Sequence, residues 1–259
     1  TPSYTNLLRF LDAEAPRPGA PPKDEPPILG LSATPFRTDD EESQRLARRF
    51  DKRWLPLCQE DLHRRLRRQG ALAEVVNEPL KSGIGLTPEE IAQLSGLLES
   101  REGIEFENIL EAINKRLAGS NQRNERLVGH IKMAEERSIL LFANSVSHAE
   151  EMAVRLNLQG ICAAAISGDT PAATRRYFLS RFHRGEVRVL CNHTILSTGF
   201  DAPMIDMVLI SRAVFSPVRY MQMVGRGLRG EENGGKARCR VVTVLDNFGR
   251  FPNLHAYHY

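Results

Sequence analysis

"SILLFANSVSHAEEMAVRLNLQGICAAAIS", Ser138 to Ser167, reads as strand, helix, strand. "ILLFA" is a continuous apolar run without polar alternation, short enough for a strand buried on both faces. In "SHAEEMAVRLN", Ala149, Met152, Ala153 and Leu156 recur at helical spacing, and "ICAAAIS" is a second apolar strand. The rhythm continues to the end of the chain. "PAATRRYFLSRFHRG" predicts a helix, "VRVLCN" and "IDMVLIS" predict strands, "PVRYMQMVGRGLRG" a helix and "CRVVTVLD" a strand. Strands of this kind, separated by helices of about a dozen residues, imply a parallel sheet covered on both faces. Ligands of such sheets bind beyond the carboxyl ends of the strands. That rule sets the loops at "FANS", "SGD", "CNHT" and "SRAVFS" along one rim.

Upstream the pattern differs. The opening, through "APRPGAPPKDEPP", reads as a helix followed by a proline-rich loop, and "ILGLSATPFR" places a short apolar strand, Ile28 to Leu31, before Ser-Ala-Thr-Pro. Residues 39 to 70 carry dense mixed charge over two expected helices with Trp54 and Leu55 between them, and "ALAEVVNEPL" predicts a strand. At "LTPEEIAQLSGLL" Thr87 suits a cap, Pro88 the first turn and Glu89 and Glu90 the positive end of a helix. Two further helices are expected around residues 106 to 117 and 121 to 135. The expected organisation is therefore three parts: 1–70, 71–135 as a mostly helical connector, and 136–259.

Composition narrows the function classes. With 259 residues and 41% hydrophobic side chains the chain can bury a sizeable core, and its formal charge is only +3. The charge is unevenly placed: residues 181 to 240 hold ten Lys/Arg against five Asp/Glu. Cys58, Cys162, Cys191 and Cys239 are far apart, without a Cys-x-x-Cys pair, which supports neither a zinc site nor a disulfide framework and fits a reducing cytoplasm. No apolar run approaches the roughly 18 residues of a membrane span.

"QMVGRGLRG", Gln222 to Gly230, carries the densest candidate chemistry. An arginine fork matches phosphate oxygens, and Arg226 and Arg229 on one helical turn would point the same way. Gly225 and Gly227 beside them imply close backbone approach to something, since glycine costs about 1 kcal/mol inside a helix relative to alanine. Alone, the stretch reads equally well as a solvated basic turn closed by a glycine cap. Nearby, "ILSTGFDAP" offers the hydroxyl of Thr198, the open amide of Gly199 and the carboxylate of Asp201, which by itself reads as the cap of a turn before Pro203.

"LSATP", "ILSTGFD" and "QMVGRGLR", in that order, resemble the Ser-Ala-Thr motif, the fifth motif and the sixth motif of superfamily-2 helicases and translocases. "ILLFANSVSHAEEMAVRL" and the stretch from "AISGD" to "VRVL" resemble the fourth motif and the segment after it. The likeness is strongest to the branch of type III restriction motor subunits, RadD-like and XPB-like helicases. It thins at about residues 80 to 120, within the connector. The resemblance implies an α/β chain: the end of one RecA-like domain, a helical connector, and a complete second RecA-like domain with helices on both faces of a parallel sheet. It implies ATP and Mg2+ held mainly by the first domain, and nucleic acid, DNA or RNA, as partner. Arg226 and Arg229 would act as arginine fingers, with Gln222 as a polar contact. Gly199 and Asp201 would face the nucleotide, and Ser32, Ala33 and Thr34 would couple nucleotide state to domain movement. Phe142, Ser145, Ser167, Gly168 and Thr198 would lie along the nucleic-acid track. Two positions depart from many relatives: Thr198 stands where an acidic residue is common, and His193 where a threonine is.

No metal site is expected. A Gly-rich phosphate loop ending in Gly-Lys-Ser/Thr is lacking, because "NGGKAR" has Ala237 in place of the hydroxyl residue and no upstream glycine at the required spacing. The expectation is a fragment of a larger motor that does not hydrolyse ATP by itself. A non-catalytic nucleic-acid-binding module of the same fold is the alternative. An unrelated doubly wound enzyme should show Gly-x-Gly-x-x-Gly after its first strand, which "LGLSATP" does not supply.

Overall fold

The computed structural model describes Gln44 and residues 59–100, 103–195, 204–214 and 217–246. Ser32, Ala33, Thr34, Trp54, Leu55, Thr198, Gly199 and Asp201 lie outside the described residues. Residues 1–59 and 60–259 form separate compact units, and the second holds the sheet.

The elements run α1 (Gln59–Arg68), β1 (Glu74–Lys81), α2 (Pro88–Ser100), α3 (Gly103–Ala118), α4 (Asn121–Met133), β2 (Ile139–Phe142), α5 (Val146–Leu158), β3 (Ala163–Ile166), α6 (Ala172–His183), β4 (Val189–Asn192), β5 (Met207–Ile210), α7 (Pro217–Val224) and β6 (Arg238–Leu245). The strands form one six-stranded sheet in the order β1-β6-β5-β2-β4-β3. Every pair is parallel; Ile139 stands opposite both Val189 and Met207. β2 is the pivot, with β4 and β3 built outward on one side and β5 and β6 on the other.

The apolar runs are continuous because alternate residues fill two different cores. Leu140, Phe142, Leu190, Val208, Ile210 and Val241 meet Phe182 of α6 and Tyr220, Met223 and Val224 of α7 on one face. On the other, Ile139, Leu141, Val189, Met207, Leu209 and Val242 meet Leu127, Val128 and Ile131 of α4 and Met152, Ala153 and Leu156 of α5. A satellite core joins Leu94 of α2 to Leu110, Ile113 and Leu117 of α3 and to Ala213 after β5. Thr87 and Glu90 start α2 as a reciprocal cap: the Thr87 amide donates to Glu90 Oε2 at 2.8 Å and the Glu90 amide to Thr87 Oγ1 at 3.2 Å.

Two features depart from the pattern read in the sequence. β1, inside the stretch expected as a connector, is the edge strand of the sheet and pairs with β6 from Glu74↔Arg238 to Lys81↔Leu245. Pro79 is tolerated there because β1 has a neighbour on one side only. The helix expected over residues 217 to 230 ends at Val224, and Gly225–Gly227 form a 3-10 turn.

Candidate functional site

The predicted residues that are described fall at two places, one at each end of the strands. At the carboxyl rim, Phe142, Asn192 and Ile166 end β2, β4 and β3. Ser145 caps α5, its Oγ accepting the His148 amide at 3.1 Å and lying 3.0 Å from Ser147 Oγ. The Ser167 amide donates to Thr170 Oγ1 at 2.9 Å. Arg175 of α6 ties this "SGD" loop down, with Nη2 at 3.1 Å from the carbonyls of Ser167 and Gly168 and 3.2 Å from that of Thr170. Phe142 contributes only backbone to the rim: its side chain is fully buried in the core. Its carbonyl accepts the Ser211 amide at 3.0 Å.

Beneath the rim lies a buried polar network that nothing local in the sequence announces. Arg123 is fully buried and grips Asp246 with two bonds, Nε to Oδ1 at 2.8 Å and Nη2 to Oδ2 at 2.9 Å. Its Nη1 donates to Asn144 Oδ1 at 3.1 Å, and Nη2 also reaches the Ser211 carbonyl. Asn144 Nδ2 donates to Asn114 Oδ1 at 2.9 Å, which accepts the Ala213 amide at 3.1 Å. Thus α3 and α4 are bonded to the residues just after β2, β5 and β6. His148 joins in from α5: Nδ1 accepts the Asn144 amide at 3.2 Å and Nε2 lies 3.0 Å from Asn124 Oδ1, so the proton sits on Nε2. Burial, then the Arg123 and Arg155 charges, push this imidazole down to about 3. His193, at the end of the β4 loop, is lowered to about 4 by burial and by Arg212.

At the amino end, the "GRGLRG" chain turns to meet residues 70–72. Ala73 donates to the Leu228 carbonyl at 2.9 Å, Leu72 and Arg229 form an antiparallel bridge, and the Gly230 amide donates to the Ala71 carbonyl at 3.1 Å. This corrects the expectation of two arginines on one helical turn: Arg226 lies in the 3-10 turn, its Nε donating to the Gln222 carbonyl at 3.3 Å, and Arg229 lies in the bridge. Glycines allow the departure. A Cβ on Gly227 would sit 2.2 Å from Cys239 Sγ, and one on Gly230 would sit 2.0 Å from the Gly70 carbonyl oxygen. Gly225, by contrast, faces open space. Ala71, Leu72, Gly225, Leu228, Arg229 and Asn233 line a cleft of about 300 Å3. A guanidinium and a side-chain amide are donors of the kind phosphate oxygens take, and Gly225 leaves open space beside them. Among the described residues, no cluster of His, Cys, Asp and Glu is arranged to hold a metal ion.

The fold is a RecA-like α/β sheet with helices on both faces. Residues 122–231 match the helicase conserved C-terminal domain, in keeping with the likeness of the motifs to those of superfamily-2 helicases. It is 31% identical over 109 residues to the putative ATP-dependent helicase IRC3 of Saccharomyces cerevisiae, covering 42% of this chain and 16% of that protein. It is 25% identical over 180 residues to the pre-mRNA-processing ATP-dependent RNA helicase PRP5 of Kluyveromyces lactis, covering 67% of this chain and 21% of that one. The matched stretch thus spans about a quarter or less of these curated relatives. In fold it is similar to the fragment structure of a putative HsdR subunit of a type I restriction enzyme from Vibrio vulnificus, with a TM-score of 0.50 at 20% identity, over 83% of this chain and 44% of that one.

Proposed function

We propose that this chain supplies the second RecA-like domain, with the end of the first over residues 1–70, to an ATP-dependent nucleic-acid motor acting on DNA. The observation that carries the reading is the cleft at the amino end of the sheet, where Arg229 and the unobstructed Gly225 come together in a Gln-x-x-Gly-Arg-x-x-Arg stretch. Bound there, ATP supplies the phosphoryl group whose transfer drives the motor. Arg229 would hold the charge on that group, Arg226 would assist from the adjacent turn, and Gln222 would brace Arg226 through its carbonyl. Gly199 and Asp201 would complete the nucleotide side, and Ser32, Ala33 and Thr34 would couple the domains. The phosphate loop and the Mg2+ ligands would come from the first domain. By itself, the chain would then bind nucleic acid without turning over ATP.

The carboxyl rim is the proposed track. Ser145, Ser167, Gly168 and Thr198 would meet backbone phosphates through hydroxyls and amides, with little base discrimination. DNA is proposed because the motifs resemble restriction and repair motors. PRP5 is an RNA helicase, so RNA belongs in the test.

The test is ATPase activity of the chain extended upstream of Thr1, with and without single- and double-stranded DNA and RNA, comparing wild type with Arg229→Ala. The expected result is stimulation by DNA and a loss on the order of 10³-fold or more in kcat for the variant, with DNA binding retained. An inactive wild type with every nucleic acid, or an unimpaired variant, would replace the motor by a binding module.

A further inference from the structure

We infer that Arg212, in the loop after β5, is a further backbone-phosphate contact on the carboxyl rim, a role that rests on the nucleic-acid track proposed above. Arg212 differs from Arg175, Arg188 and Arg240 in how its donors are used. Arg188 donates to the backbone carbonyls of Ile131, Ala134 and Glu136, Arg240 is paired with Glu78 and Glu136, and Arg175 is occupied by the "SGD" loop. The half-buried Arg212 makes one long hydrogen bond, Nη1 to the His193 carbonyl at 3.5 Å, and no ion pair with any described residue. Its Nε is buried and, among the described residues, without an acceptor, as is that of Arg175. Glu107 and Glu111 act on it only through space, and Glu107 is bonded instead to Arg219 at 3.0 Å. A guanidinium has five donors and a permanent charge, and holding it part-buried and unpaired is costly unless an anion completes it.

The backbone around Arg212 is held from both sides. The Ser211 amide donates to the Phe142 carbonyl at 3.0 Å, Arg123 reaches the Ser211 carbonyl, and the Ala213 amide donates to Asn114 at 3.1 Å. Ser211 and Ala213 are both buried. The network beneath the rim therefore presents Arg212 on a fixed loop, at the same end of the sheet as Ser145 and the Arg175-tied "SGD" loop. Fixed donors with spare capacity suit a phosphodiester, and a contact of this kind carries no sequence preference.

The experiment is fluorescence anisotropy titration of this chain with a labelled oligothymidylate of about 20 nucleotides at several KCl concentrations, a length that spans a typical single-strand site. Wild type is compared with Arg212→Gln and Arg212→Lys, with melting midpoints measured in parallel. Losing one phosphate contact should weaken binding several-fold and flatten the log Kd against log salt slope by about 0.7. Arg212→Lys should keep the slope while binding more weakly than wild type. An Arg212→Gln chain that melts like wild type and binds with wild-type affinity and slope overturns the assignment alone. If Arg212→Gln melts lower, Arg212→Lys decides: wild-type affinity in that variant overturns the assignment, and several-fold weakening at an unchanged slope supports it. A wild type that binds no oligonucleotide overturns this role and the track together.

Discussion

Gly225 and Gly227 flank Arg226 and serve different ends. Both break a helical pattern in the sequence, and the sequence cannot say which one is there for packing. In the fold, a methyl on Gly227 would meet Cys239 Sγ at 2.2 Å and Val208 Cγ2 at 3.1 Å, both in the closed core under α7, while Gly225 has no heavy atom within 4 Å of the same position. Gly227→Ala should therefore destabilise the chain by about 1–3 kcal/mol through overpacking, and Gly225→Ala should stay within about 0.5 kcal/mol. Urea unfolding midpoints of the two variants distinguish the roles; equal midpoints would mean that the turn is not set by the Gly227 contact. The free side of Gly225 then remains for a ligand, in keeping with its place on the cleft.

Between elements, the polar network does what the apolar cores cannot: it fixes direction. Apolar contacts hold α4 and α5 on the sheet, but Arg123, Asn144 and His148 lock their ends against the residues that leave β2, β5 and β6. In the sequence Arg123 stands in "SNQRNERL", a polar stretch at the start of the helix expected over residues 121 to 135. Its partner Asp246 lies 123 positions away, so nothing local marked it as buried. His148 makes the network pH-dependent. Folded, its imidazole is held at about 3; unfolded, it titrates near 6.5. Between those values the unfolded chain binds more protons, so this contribution is complete above about pH 6.5 and declines as the pH falls, by at most about 1.4 kcal/mol per pH unit. His193, lowered to about 4, acts in the same direction. Urea midpoints at pH 7 and pH 5 should show the loss, and His148→Gln should remove part of it. A variant with the wild-type pH dependence would assign the effect elsewhere.

At the scale of the whole molecule, the boundary drawn from the pattern and the boundary drawn by packing are different. The regular rhythm starts at Ser138, yet the sheet is completed by β1, and α4 supplies Leu127, Val128 and Ile131 to its core. A fragment of residues 136–259 would expose the β6 edge, uncover that core face and leave Asp246 buried without Arg123. It should fail to melt cooperatively and should aggregate, whereas residues 60–259 should show a single cooperative transition by circular dichroism; a well-folded 136–259 fragment would show that β1 and α4 are dispensable. The sequence alone determined the strands and helices of the sheet, because apolar runs and helical spacing are local consequences of which side chains must leave water. Motif order also marked the loops proposed to carry the chemistry. Only the tertiary structure decided that β1 joins β6, that Arg226 and Arg229 leave a common helix, and that Arg123 is buried against Asp246. Those outcomes depend on contacts between residues far apart in the chain, where the partner that satisfies a polar group or blocks a side chain is chosen by packing.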